Sequence, residues 1–406
     1  MLPIQNNNGN VNKNSFGPLF VVVGSYLNEE KLTPMLGGTE TYTSTLIELA
    51  REHDQYVTIL QKSARKLDIK LEDKTRVISW DTIKNLRETL QKIRIAAKGI
   101  LLMYQPFFLP EQQEHPVVLV QHGIGHDGTF DPARRALPLI WAADIRRRVR
   151  VMLAQKNALD CAKRFTRIIC VDTNYINWTR ASNPMYEFGN QLTYIPNFAD
   201  ASFKDVVLKK WQKHNDPIIV LFARRFVVQR GVYLWLECVE KLAMEFPEVE
   251  FRFVGHGQAE DLVKIIALSR ENVKVYARTH EKMRAEYESA HISIIPSLWS
   301  EGTSLSCIES MGAGCAVITS NVGGLCNLVV PDHNGLLIEP TSSAFYNTTL
   351  QLLHHREHAM TLGMRGYEIF LTSFTKTIWK QRFLKLFMAV RREDTPPVLK
   401  RRIFPV

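Results

Sequence analysis

Glu301 and Glu309 stand in one stretch, PSLWSEGTSLSCIESMGAGCAVITSNVGG (296–324), with seven residues between them. Its pattern predicts a strand, a loop of small residues and a helix entered at about residues 303–306. Glu301 then falls in the loop and Glu309 about a turn and a half into the helix. An ionised carboxylate only accepts hydrogen bonds, so a ligand engaging both residues must offer O–H donors, as a sugar does. The turn into the helix presents unpaired backbone N–H groups and the positive end of the helix dipole. Such a place holds phosphate. Sugar hydroxyls beside a diphosphate describe a nucleotide sugar. The plain alternative is a solvated loop charge and an ordinary helix-surface glutamate.

Three arginines supply the opposite charge. Arg224, Arg225 and Arg230 lie in FARRFVVQRG, just past the apolar run 218–223. That is a strand end, where ligands of open α/β sheets bind, and guanidinium groups match phosphate oxygens bidentately. Nearer the start, GGTETYTSTLIELA sets Gly37 and Gly38 ahead of a helical pattern, with Thr39 or Thr41 as cap, a second candidate anion-holding loop. His122 closes the run VVLVQ ahead of Gly123, so its imidazole projects from a strand end, where a neutral ring can hydrogen-bond a hydroxyl. His126 is its rival, and a structural histidine is the plain reading.

These residues need a scaffold that brings strand ends together. Short β-branched runs alternate with helical segments at 19–23, 56–60, 100–104, 117–121 and 168–172, and again at 218–223, 250–255, 273–276, 292–296, 316–320 and 335–338. This predicts an α/β chain of two doubly wound, Rossmann-like domains. Their seam lies near 195–216, where IPNFADASF runs into the basic stretch KDVVLKKWQKHND, read as a linker. The domains are expected at 15–201 and 202–370. The first sixteen or so residues and the tail from Arg391 lack a periodic apolar pattern and read as disordered.

The length, 406 residues, fits two or three domains at about 150 residues each. Hydrophobic residues at 45% and charged residues at 23% exclude a disordered or fibrous chain. No run of about 18 apolar residues suits a membrane helix, and the asparagine-rich start does not resemble a signal peptide, so a protein that is not exported is expected. Six cysteines without zinc spacing read as reduced thiols. The net charge of +10 fits nucleic acid, an anionic membrane or an acidic small molecule alike. Gly-Lys-Ser/Thr, HExxH and Asp-x-Asp patterns are all absent, so neither a phosphate-loop nucleotidase nor a metal site is expected. In VGHGQAE, Glu260 stands where a dinucleotide fingerprint needs its third glycine.

Taken in order, GGTE, the strand-end histidine, IPNFAD, FARRFVVQRG, VGHGQAE, the glutamate pair, VGG and HNGLL resemble the retaining nucleotide-sugar glycosyltransferases of the type B fold (GT-B), the large family four whose mark is two glutamates seven residues apart. The resemblance covers nearly the whole chain. It implies two facing Rossmann-like domains, with the last helix, expected within 371–390 and containing SFTKTIWKQRFLKLFMAV, crossing back to the first. It assigns Glu301 to the donor sugar's hydroxyls, Glu309 to the ribose, and Arg225 and Arg230 to the diphosphate, assisted by the backbone of Gly302, Thr303, Ser304 and Leu305. His122 falls beside the reacting sugar, and Gly37 and Gly38 in the loop over the phosphates. One departure is visible: Arg224 stands at the family's usual glycine.

The implied reaction moves a glycosyl group from a nucleoside diphosphate sugar to a hydroxyl acceptor with retention and without metal or other cofactor, in cell-surface polysaccharide or glycolipid assembly. A glycan or lipid-linked acceptor is the expected partner, and nucleic acid is not. The stretch DPARRALPLIWAADIRRRVRVMLAQ, with Arg134, Arg135, Arg146, Arg147, Arg148 and Arg150, suggests contact with an anionic membrane, hence the cytoplasmic face of the plasma membrane. A solvated helix face is its plain reading. The alternatives are a sugar-nucleotide epimerase of the same architecture and a non-enzymatic nucleic-acid-binding protein using that patch and Trp141.

Overall fold

Runs such as Leu19–Val23 (LFVVV) carry no polar residue on either face, so they are stable only in a sheet covered on both sides. The computed structural model, which describes residues 16–35, 37–71, 74–97, 99–105, 115–123, 149, 152–153, 156–202, 204–212, 216–392 and 400–402, places these runs in two sheets. The first contains β1 (Leu19–Val23), β2 (Val57–Lys62), β3 (Asp68–Lys70), β4 (Thr75–Trp80), β5 (Ile100–Met103), β6 (Val117–Gln121), β7 (Arg167–Cys170) and, beyond the short β8 (Tyr186–Glu187), β9 (Leu192–Tyr194). Its order is β3-β4-β2-β1-β5-β6-β7-β9, parallel except for β3 against β4.

The second sheet joins β10 (Ile219–Ala223), β11 (Glu250–Val254), β12 (Val273–Tyr276), β13 (Ile292–Ile295), β14 (Ala316–Ser320) and β15 (Leu336–Ile338). Its order is β12-β11-β10-β13-β14-β15, parallel throughout. Chain order reverses between β10 and β13, and at such a switch point the carboxyl ends of neighbouring strands open a crevice.

The helix Lys376–Val390 repeats large apolar residues on one face: Trp379, Phe383, Leu386, Phe387 and Val390. All five are buried in the core beneath β1, with Tyr42 and Leu46 of the helix Gly38–Glu52. Trp379 lies 4.7 Å from the Tyr42 ring, and Lys380 pairs with Glu48 and Glu52 at 3.0 and 2.7 Å. The expected crossover back to the first domain is therefore present. Two passages link the sheets side by side, Ala199 bridging Thr375, with Ala199 N donating to Phe374 O at 3.1 Å.

The basic stretch read as a linker contains a helix, Lys204–Gln212, docked on the second domain. Trp211 Nε1 donates to Gly314 O at 3.0 Å, and the buried Lys210 Nζ donates to Ala290 O and Ala313 O at 2.7 and 2.6 Å. Carbonyls replace the water that the ammonium loses, so lysine does not exclude burial here. Of the tail read as patternless, Lys400–Arg401 (β16) pairs antiparallel with β8. The opening residues expected to be disordered lie outside the described residues up to 15.

Candidate functional site

The site forms where β10 and β13 end. Ala223 gives way to Arg224 and Arg225, the one-turn helix Val228–Arg230 follows, and Ile295 gives way to PSLWSEG. Gly231, with φ 73°, closes the arginine turn, and a Cβ there would lie 1.7 Å from Pro296 O. Only glycine lets the segment carrying Arg230 pack beneath the loop that carries Glu301.

Glu301 is buried between two guanidinium groups. Arg224 Nη2 donates to its Oε1 at 2.5 Å, and Arg230 Nη1 meets Oε2 at 2.8 Å. Ser297 Oγ also donates to Oε1, and itself accepts from Arg224 Nη1 at 2.6 Å. Burial alone would raise the carboxyl's pKa, but the charges of Arg224 and Arg230 outweigh it and hold the group below its ordinary value. Arg225 is exposed, with no carboxylate partner among the described residues. Burial lowers the pKa of Arg230; Glu301 opposes this, while Arg224 and Arg225 add to it.

Glu309 lies on the helix Leu305–Gly312, whose first residue is only two beyond Thr303, as the pattern predicts. Its surroundings are different. Burial pushes its pKa up, with a hydrogen bond to Tyr287 and the nearby His280 acting in opposition. The Tyr287 hydroxyl is itself pushed well up by burial and by Glu309. No cation pairs with Glu309 among the described residues.

The loop between the glutamates touches the first domain. A Cβ on Gly302 would lie 2.7 Å from Val171 Cγ2 and 3.0 Å from His122 O, so absence of a side chain permits the approach. Thr303 Oγ1 donates to Val171 O and accepts from Asn197 N at 3.1 Å. Asn327 joins in from below, its Oδ1 accepting from Thr173 N at 2.9 Å. The buried Ser304 precedes the helix and Leu305 is exposed at its start.

The His122 ring is stacked 5.6 Å from Tyr104 and meets Tyr42 edge-on at 5.6 Å. Exclusion of water lowers its pKa, which leaves the ring neutral and able to accept or donate one hydrogen bond. Gly37 and Gly38 begin the helix Gly38–Glu52 one turn ahead of Tyr42, and no contact among the described residues joins them directly to Arg230 or Glu301. Gly37 takes the cap position, so Thr39 and Thr41 lie inside the helix instead of capping it. His126, Trp141 and the arginines Arg134, Arg135, Arg146, Arg147, Arg148 and Arg150 lie outside the described residues.

The structure thus gathers Glu301, Arg230 and Arg225 at one crevice and brings Gly302 against His122. Ser297, Tyr287, Tyr42 and Tyr104 join the site without having been singled out from sequence. Ser297 had a signal, since it follows the strand that delivers Glu301; the tyrosines, scattered through helices and strand ends, had none.

Residues 203–369 match the family model described as glycosyl transferases group 1. Among curated relatives, a phosphatidyl-myo-inositol mannosyltransferase of Mycolicibacterium smegmatis is 25% identical over 156 residues, 38% of this chain and 40% of that protein. The chain spans about half the length, or less, of the curated relatives it matches first. Among solved structures, sucrose-phosphate synthase from Thermosynechococcus elongatus superposes with a TM-score of 0.69 at 18% identity, covering 92% of this chain and 98% of that one. Anabaena HepE, in complex with UDP and glucose, gives 0.62 at 14%, covering 91% and 99%. These likenesses establish the fold: two Rossmann-like domains of the GT-B architecture, as the sequence resemblance implies.

Proposed function

We propose that the chain, whose residues 203–369 match the glycosyl transferases group 1 family model, transfers a glycosyl group from a nucleoside diphosphate sugar to a hydroxyl acceptor, with retention and without a metal. The observation that carries this reading is the cluster at the switch point: an ionised, buried Glu301 beside Arg230 and the exposed Arg225, next to the start of the helix Leu305–Gly312.

Each part has a task. Arg225, Arg230 and the N–H groups from Gly302 to Leu305 take the diphosphate and stabilise the charge that grows on it as the sugar leaves. Glu301 accepts from the sugar's hydroxyls and Glu309 from the ribose. His122, its pKa lowered by partial removal of water, hydrogen-bonds the sugar from the first domain. The departing phosphate oxygen takes the acceptor's proton while the acceptor attacks from the same face, which retains the anomeric configuration. With the arginines and the helix start neutralising the diphosphate, no cation is needed.

The acceptor is a glycan or lipid-linked alcohol in cell-surface polysaccharide or glycolipid assembly, met at the cytoplasmic membrane face. The name of the mycobacterial relative, a transferase acting on phosphatidyl-myo-inositol, supports a membrane-borne acceptor, and no helix among the described residues is long and apolar enough to cross a membrane. A thermal-shift screen of nucleoside diphosphate sugars tests the reading. A ligand at a hundred times its dissociation constant adds about 2.7 kcal/mol, so one donor should raise the midpoint clearly. No shift with any donor would overturn it.

A further inference from the structure

Arg224 occupies the point where the resemblance leads one to expect glycine, and its side chain does not reach solvent. It is 4% exposed and spends its guanidinium on Ser297 Oγ and Glu301 Oε1, both from the loop after β13. Arg230, on the other oxygen of Glu301, is 27% exposed and makes that ion pair alone. One carboxylate thus has two cations of unequal commitment, one locked by two buried partners and one at the rim of the crevice beside the exposed Arg225.

We infer that Arg224 is a positioning residue that serves as the permanent counterion of Glu301, so that Arg230 can leave Glu301 for the donor's diphosphate and uncover Oε2 for a hydroxyl of the donor sugar. The inference rests on the nucleotide-sugar reading above and extends it. A buried carboxylate cannot lose its last cation cheaply. With glycine at 224, withdrawal of Arg230 would leave Glu301 buried and unpaired. With arginine there, Glu301 stays compensated and hydrogen-bonded through Oε1 while Oε2 becomes an acceptor. The burial that disfavours the Arg230 charge, together with the repulsion from Arg224 and Arg225, favours its move toward a dianionic group. Diphosphate binding and exposure of the sugar-binding oxygen become one event.

The test is a double-mutant cycle on nucleoside diphosphate affinity, measured by calorimetry with UDP, GDP and ADP. In the otherwise wild-type chain, Arg224→Gly should weaken binding of the accepted nucleotide about tenfold, the scale of one charged hydrogen bond. In the Glu301→Gln background no anion detains Arg230, and the same substitution should cost about twofold or less. A merely structural role, or direct contact of Arg224 with the phosphates, predicts equal losses in both backgrounds, and equal losses overturn the inference while leaving the proposed function standing. If the wild-type chain binds none of the three nucleotides, both fall. Should Arg224→Gly not fold, Arg224→Lys completes the same cycle, because lysine keeps the charge but lacks the fork that spans Ser297 and Glu301.

Discussion

Glu301 and Glu309 are the same residue type on one short stretch of chain, and the fold gives them opposite electrostatic lives. Glu301 sits against two guanidinium groups and a serine hydroxyl and is held ionised. Glu309 sits against a tyrosine, and burial favours its protonated form. Their spacing says which element each occupies, but their charge is decided by residues far away in sequence: Arg224 and Arg230 for one, Tyr287 for the other. A carboxylate acceptor can therefore be prepared in two ways, by cations that fix its charge or by a neutral hydrogen bond that tolerates either state.

The largest expected difference is in stability. Glu301→Ala leaves Arg224 buried without its carboxylate, and such a loss costs about 3–5 kcal/mol. Glu309→Ala removes a hydrogen bond to a tyrosine, worth about 1–2 kcal/mol. Urea unfolding of the two variants measures this, and equal losses would erase the distinction. Next is turnover. Arg225→Ala and Arg230→Ala should each lower kcat by a factor corresponding to about 3 kcal/mol, as for one preorganised charge-stabilising donor. Unchanged turnover in both would remove the arginines from the reaction.

Smaller effects sharpen the contrast through pH. The folded-state pKa of Glu301 is depressed, so its stabilisation is present above the unfolded value, near 4.5, and is lost as pH falls through the folded value. Glu309 has the reverse sign. Its folded pKa is raised, so stability is lost as pH rises from about the unfolded value of 4.5 through the folded one. Thermal midpoints across mildly acidic pH should show Glu301→Gln flattening the acid decline and Glu309→Gln flattening the loss at higher pH. His122 gives the smallest signal: with its pKa below the ordinary 6.5, neutral through the working range, it should impose no loss of transfer until pH falls below that value. An acid limb centred above 6.5 in wild type that His122→Asn removes would contradict this.

How much of this the sequence showed follows the physics of each part. Strands covered on both faces, Val117–Gln121 and Ala316–Ser320, have the ends their apolar runs predict. Thr75–Trp80 escaped notice because Arg76 and Ser79 interrupt it, as suits a strand only half covered beside the short antiparallel β3. The helix Lys204–Gln212 looked like a basic linker because composition cannot reveal that two carbonyls distant in sequence, Ala290 O and Ala313 O, will receive Lys210. At the site, Glu301, Arg225 and Arg230 were legible from residue type at strand ends. The charge states were not, since they arise from contacts such as Arg224 to Glu301 that only the sheet order creates.

The most direct measurement is calorimetry of the accepted nucleoside diphosphate with wild type, Glu301→Ala and Glu309→Ala, paired with transfer assays on the same proteins. If the two glutamates serve different parts of one donor, Glu309→Ala weakens nucleotide binding, whereas Glu301→Ala binds the nucleotide at least as tightly as wild type and yet transfers nothing. Equal loss of nucleotide affinity in both variants would contradict the assignment of one carboxylate to the ribose and the other to the sugar.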